Sequence, residues 1–156
     1  INKIGISVFF EKDLESIISK YKIDTVQIPL NLFDQRFLNS GLIDDLYSKN
    51  IDINARSIFL QGLLIKEFDS LPPYFRNFTK EFNQLKKLAR EYNQSIMNIA
   101  LLFVLNIKKI NQLIIGVKTE QQLQEIIDTF IINVNFKNTD ILSSSNLNLI
   151  YPTLWK

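Results

Sequence analysis

The sequence predicts an α/β fold: a parallel (β/α) half-barrel of four βα units, closed by a C-terminal helix. Three observations carry this. Four short strand-like runs, at residues 3–9, 23–29, 51–57 and 112–117, each precede a stretch of helical periodicity. Strand then helix, repeated, is the pattern of parallel βα units with right-handed crossovers. By side-chain parity, all four runs gather apolar residues on one face and polar residues on the other. A doubly wound sheet meets helices on both faces and is apolar on both. A barrel is covered by helices only outside, but needs eight strands where four are present.

The first run puts Ile4 and Ile6 on the helix-covered face and Lys3, Gly5 and Ser7 opposite, because strand side chains alternate. Leu14, Ile17, Ile18 and Tyr21 then repeat at helix spacing. The second run sets Val26 and Ile28 against Thr25 and Gln27, and the next helical stripe is Leu42, Ile43, Leu46 and Tyr47. The third sets Ile51, Ile53 and Ala55 against Asp52, Asn54 and Arg56. Residues 66–80, with Pro72-Pro73, form the one long irregular stretch, and such loops tend to be either functional or disordered. Two helices follow. Phe82, Leu85, Leu88, Ala89 and Tyr92 mark the first, and Ser95 caps the second, which runs through Ile96, Ile99, Ala100 and Phe103.

The fourth run sets Leu113, Ile115 and Val117 against Gln112, Ile114 and Gly116. Thr119 with Gln122 then reads as a capping box ahead of Leu123, Ile126, Ile127 and Phe130. A last helix over 139–150 leads to the tail "YPTLWK". Residues 1–156 thus read as one domain, with 137–156 its C-terminal helix and tail.

Composition narrows the function. The 156 residues suffice for one domain with a sizeable core. Net charge is +2, with 18 basic residues dispersed among 16 acidic ones, so no basic stripe suggests nucleic-acid binding. The apolar run "NIALLFVLNI" is far shorter than the roughly 20 residues of a membrane span, and no signal peptide opens the chain. With neither Cys nor His, the chain offers no thiolate or imidazole metal site and no Cys/His or Ser/His/Asp nucleophile. The lack of Cys suits a reducing, cytoplasmic setting. The chain enters its first strand almost at Ile1, as expected for a piece of something longer.

The segments "KIGISVFF", "IDTVQIPLNLFDQRF", "IDINARSIFLQGLL" and "LIIGVKTEQQLQEI", ending in "YPTLW", resemble the C-terminal half of the aldo-keto reductase family in order and spacing. The resemblance spans nearly the whole chain. It implies the last four βα units of a TIM-type (β/α)8 barrel plus the C-terminal helix, and reduction of small carbonyl substrates with NADH or NADPH. It places Ser7 and Gln27 on the cofactor's carboxamide, with Val8 where the family has Asn. Arg56 stands where the family has a tyrosine stacked on the nicotinamide, and a planar guanidinium also stacks on rings. Ser57, Phe59 and Gln61 match the loop that wraps the pyrophosphate. Gly116 and Gln122 stand where NADPH-preferring members place a Lys and an Arg, with Lys118 nearby. NADH binding at least as good as NADPH binding is therefore expected.

The resemblance also identifies what the chain omits. The family's catalytic Asp, Tyr, Lys and His have no counterpart, so no catalytic residue is assigned and the chain alone is expected to be inactive. Hydride transfer to a carbonyl needs a proton donor, and Tyr21, Tyr47, Tyr74, Tyr92 and Tyr151 all fall away from strand ends.

The site residues have plainer readings too. Gln27 also fits a polar side chain satisfied by neighbours, and Ser7 a small residue at a strand end. Arg56 also fits an ion pair with Asp52 or a loop acid, since a buried charge needs a partner. Gly116 fits a close-packing or turn glycine better than a ligand. Lys118 and Gln122 fit a helix N-terminal anion site and a solvated cap equally. "PPYFRNF" reads as packing under a loop, with flanking of the substrate pocket in a full barrel as its functional alternative. The rival to the enzyme half is a non-catalytic half-barrel that binds a partner or itself. Open edges at Lys3 and Gln112 predict a homo-oligomer, unless the tail around Tyr151 to Trp155 shields one.

Overall fold

Strict alternation in the first three runs, and a weaker version in the fourth, builds one parallel sheet. In the computed structural model, which describes residues 1–132, 134, 136–137 and 139–155, the strands are β1 (Gly5–Ser7), β2 (Thr25–Pro29), β3 (Asp52–Arg56) and β4 (Gln112–Leu113). Their spatial order is β1-β2-β3-β4, every neighbouring pair parallel. Ser7 stands beside Gln27, Gln27 beside Asn54, and Asn54 beside Gln112. Hydrogen bonds continue past the ladders, from Val8 N to Gln27 O and from Ile114 N to Ala55 O.

The helices are α1 (Glu11–Ile18), α2 (Arg36–Asn39), α3 (Leu42–Ser48), α4 (Thr79–Glu91), α5 (Ile96–Leu105), α6 (Glu120–Thr129) and α7 (Leu147–Ile150). The apolar parity set enters the core at the middle of the sheet, where Val26, Ile28, Ile53 and Ala55 are buried in one cluster with Leu14, Ile43, Leu46, Leu85 and Ile99, whereas Ile4 and Val117, expected on the helix-covered face, are exposed beside the two edge strands. The opposite set stays at least partly solvated and satisfies itself. Ser7 Oγ donates to Gln27 Oε1 (3.2 Å), Asn54 Nδ2 to Thr25 Oγ1 (3.2 Å), and Lys3 pairs with Asp52. Gly5 is required where β1 meets β2, because a Cβ there would lie 2.3 Å from Thr25 Cγ2 and 2.8 Å from Thr25 O.

Local signals hold where they rest on backbone chemistry. Ser95 and Thr119 cap α5 and α6 by accepting from Asn98 N and Gln122 N. Elsewhere the structure corrects the reading. The last helix, expected over 139–150, is broken into a 3-10 turn (Thr139–Leu142) and α7. Ser144 Oγ accepts from Asn146 N and Asn146 Oδ1 from Asn148 N, and such side chains compete with helical backbone bonds. Within the 137–156 segment, Asn138 and Lys156 lie outside the described residues. β4 is shorter than expected, as an edge strand with β3 alone to pair with. Tyr21 and Tyr47 point to solvent rather than the core, and so do Leu123 and Ile127 of α6 and Phe130 just past it. The "PPYFRNF" aromatics pack as expected: Phe75 and Phe78 are buried, Phe75 against Trp155.

Candidate functional site

The chain leaving β3 turns sharply, with Ser57, Leu60, Gln61 and Gly62 all at positive φ. For the three non-glycine residues this left-handed backbone is disfavoured, and such strain concentrates at ligand-handling loops. The loop faces the segment after β4 across a cleft of about 860 Å³, lined by residues 56–59, 61–62, 65–66, 114–118 and 122. Arg56, Ser57, Phe59, Gln61, Gly116, Lys118 and Gln122 all border it; Ser7 and Gln27 do not.

Charge gives the cleft its character. Its lining includes Arg56, Lys66 and Lys118 and no carboxylate, in a chain with nearly equal numbers of acids and bases. None of the three cations takes part in an ion pair among the described residues. A concave surface with uncompensated positive charge raises the local concentration of anions. Lys66 was not anticipated from sequence. It belongs to the loop that carries Gln61 but lies beyond any matching motif, and nothing local marks it.

Arg56 does not pair with Asp52, which is held by Lys3. The Arg56 guanidinium instead donates to Val8 O and Ser57 Oγ, both at 3.2 Å, and lies 5.8 Å from the Phe9 ring centroid. Burial pushes its pKa below the ordinary arginine value, with the charge of Asp34 pulling the other way. The partner it needs is a carbonyl, a hydroxyl and a ring rather than an acid.

Behind Phe9 lies a network that sequence reading missed. Asp34, fully buried, accepts from Arg36 Nε (2.8 Å) and Nη2 (2.9 Å). Arg36 also reaches Glu11 at 3.5 Å and Phe9 O at 3.3 Å, and lies 4.8 Å from the Phe9 ring centroid. Burial lifts the Asp34 carboxyl above the usual range despite Arg36. Arg36 itself is desolvated, yet Asp34 and Glu11 hold it above its ordinary value. Phe9 therefore has two guanidiniums near its ring, at 4.8 and 5.8 Å from the centroid, with the Tyr151 ring centroid 4.2 Å away. The only sequence signal was an acid and a base two residues apart after a strand, in "FDQRF".

The remaining candidates divide. Ser7 and Gln27 are joined to each other on the solvated sheet face, through the amide oxygen of Gln27 and not its nitrogen. Gln122 caps rather than reaches: its Oε1 accepts from Lys118 N at 2.9 Å, so the side chain is spent on the helix start. Gly116 is neither of the glycine types expected. Its φ is not left-handed and a Cβ would meet nothing within 4 Å, so close packing does not require it. Tyr151 lines a smaller pocket of about 250 Å³ with Phe9, Arg56 and Gln61. Among the described residues no group of acids could hold a metal ion, and no helix is long and apolar enough to cross a membrane.

Comparison with known proteins adds a family. No curated protein matches the chain significantly. An aldo-keto reductase of Bacillus halodurans in its holo form superposes with a TM-score of 0.73 at 14% identity, covering 96% of this chain and 52% of that one. A thermostable aldo-keto reductase in complex with the inhibitor epalrestat gives 0.62 at 22% identity, with 91% and 47% covered. The glycerol dehydrogenase of Gluconobacter oxydans gives 0.54 at 21% identity, with 88% and 53% covered. The chain thus spans about half the length of the solved structures it matches. The aldo/keto reductase family model matches residues 1–146, and the chain belongs to that family.

Proposed function

We propose that this chain is the C-terminal half of an aldo-keto reductase barrel and supplies the binding surface for a nicotinamide dinucleotide, NADH or NADPH, without the acid–base groups of carbonyl reduction. The observation that carries the reading is the cleft beyond β3 and β4, with three cations, no acid and a strained loop as one wall. The residues present fit a dinucleotide's diphosphate: Lys66 and Lys118 offer charge, and Ser57 and Gln61 offer polar contacts beside a glycine that leaves open space. When bound, the cofactor supplies the hydride. The chain's own share is to hold it. Arg56 is already anchored on Val8 O and presents a planar face near Phe9. Ser7 orients the Gln27 amide for the carboxamide end. Proton donation to the developing alkoxide falls to groups outside this chain, in a complete cytoplasmic enzyme.

Fluorescence titration of the 156-residue chain with NADH tests this. Saturable binding, weakened at least tenfold by joint Lys66→Gln and Lys118→Gln substitution, is the expected result. Absence of binding, or binding indifferent to both lysines, overturns it.

A second reading, a non-catalytic half-barrel that associates with itself, is favoured by one observation: both edges of the sheet are unpaired and exposed apolar residues lie next to them.

A further inference from the structure

We propose that the buried turn after β2, through Asn31, Asp34 and Arg36, is the positioning element that holds Arg56 and the strained Ser57 turn in place for the nicotinamide end of the cofactor. The proposal rests on the cofactor reading above and adds residues that reach the cleft only through others.

The position of Arg56 is set by its neighbours. Among the described residues it has no acid partner. Its guanidinium hangs on Val8 O and Ser57 Oγ, each at 3.2 Å, beside the Phe9 ring. Two turns therefore decide where it points: the one after β1, from Val8 to Phe10, and the one that begins at Ser57. Both need support from outside. Phe10 stands at the N-cap of α1 with no side-chain capping bond. Ser57 has a φ of 60°, a conformation that a non-glycine residue keeps only where its surroundings over-determine it.

The turn after β2 reaches both. Asn31 Nδ2 donates to Ser57 O at 3.1 Å, while Asn31 Oδ1 accepts from Phe33 N at 3.0 Å and Asp34 N at 2.9 Å. Asp34, fixed in this way, takes two bonds from Arg36 on its carboxylate. Arg36 Nη2 then donates to Phe9 O at 3.3 Å, and its Nη1 stands 3.5 Å from Glu11, the first residue of α1. The same guanidinium lies 4.8 Å from the Phe9 ring centroid and 5.6 Å from that of Phe10. The contacts close into a circuit: Ser57 to Asn31, Asp34, Arg36 and Phe9, and back through Arg56 to Ser57.

Burial makes this circuit stiff. Asn31 and Asp34 are fully buried and the Arg36 side chain is only 12% exposed. A dry polar network whose members are all satisfied rigidifies what it joins. The choice of residue also points to positioning. An ion pair kept for stability alone requires neither the link from Asn31 to Ser57 nor a planar fork that serves both Asp34 oxygens and the Phe9 carbonyl at once. A lysine, with one compact ammonium, does not reproduce that fork. Every member of the circuit lies in this chain, so the arrangement does not depend on the segments that complete the barrel.

Two variants of the complete protein test this, each with folding checked by circular dichroism. Asp34→Leu/Arg36→Met removes the brace without stranding a charge, and Arg36→Lys keeps the charge but not the fork. In both, hydrogen–deuterium exchange read by mass spectrometry should quicken in residues 8–11 and 56–62 and stay unchanged in α4 and α5. NADH affinity, from fluorescence titration, should fall. Residues in one network couple, so Arg56→Ala should weaken NADH binding roughly tenfold in the wild type and less than about twofold in either variant. A structural role alone does not produce that coupling. Unchanged exchange in the two segments, or effects at positions 36 and 56 that simply multiply, overturns the proposal. A wild type that binds no NADH overturns the cofactor reading instead, and the exchange pattern still decides whether the turn after β2 holds Arg56.

Discussion

Replacing Asp34 by Ala is the most informative single perturbation. Asp34 is fully buried, and both its oxygens are engaged by Arg36, at 2.8 and 2.9 Å. The substitution strands a guanidinium that is itself mostly covered. Removing one partner of a buried pair costs about 3–5 kcal/mol. Arg36 retains Phe9 O at 3.3 Å, Glu11 at 3.5 Å and the Phe9 ring, which places the loss near the lower end, about 3 kcal/mol. For a chain of this size that lowers Tm by roughly 6–12 °C. Urea denaturation followed by circular dichroism measures the loss directly. Asp34→Leu combined with Arg36→Met removes both charges and should recover most of it. A single-variant loss below about 1 kcal/mol, the range of an exposed pair, would refute the reasoning. So would a double variant as unstable as the single one.

The same carboxyl sets a pH dependence. Burial raises the folded-state pKa of Asp34, so the folded protein takes up this proton at a higher pH than the unfolded chain. The contribution to stability is fully present below the unfolded value of about 3.9, and is lost as pH rises through the folded value. Relative to Asp34→Asn, the wild type should gain stability as pH falls across that interval; an unchanging difference in urea midpoint would contradict it.

Three further outcomes are expected. Arg56→Tyr should preserve NADH affinity in the complete protein and Arg56→Ala weaken it; normal binding by Arg56→Ala, with easier unfolding, would make Arg56 purely structural through its bonds to Val8 O and Ser57 Oγ. By the resemblance, Gly116 and Gln122 replace the Lys and Arg that clamp the 2′-phosphate of NADPH in members preferring it, so NADH should bind at least as tightly as NADPH. A tenfold preference for NADPH, about 1.4 kcal/mol, would mean that Lys66 and Lys118 rebuild the clamp. Gly5→Ala should cost about 1–3 kcal/mol, read from the urea midpoint, because the new methyl would meet the Thr25 carbonyl oxygen at 2.8 Å; an unchanged midpoint would show that β1 can shift away from β2.

What the sequence determined by itself is whatever a few neighbouring residues decide. Alternation of period two marked the cores of β1 to β3, and apolar spacing marked α1, α4 and α5. The hydroxyls of Ser95 and Thr119 named two helix starts, because capping joins groups three residues apart. The αβ order and the polar sheet face followed from the same periodicities. The tertiary structure decided everything that depends on which distant segments meet. Only folding sets Lys66 and Lys118 on the walls of one cleft, brings Arg36 and Arg56 to the ring of Phe9, and gives Asp52 to Lys3 instead of Arg56. It also turned the apolar stripe of α6 outward, since the 3.6-residue period records that a face is apolar and not what will cover it. Electrostatic and packing partners are chosen by proximity in space, and for these residues proximity is created by the crossovers of the parallel sheet.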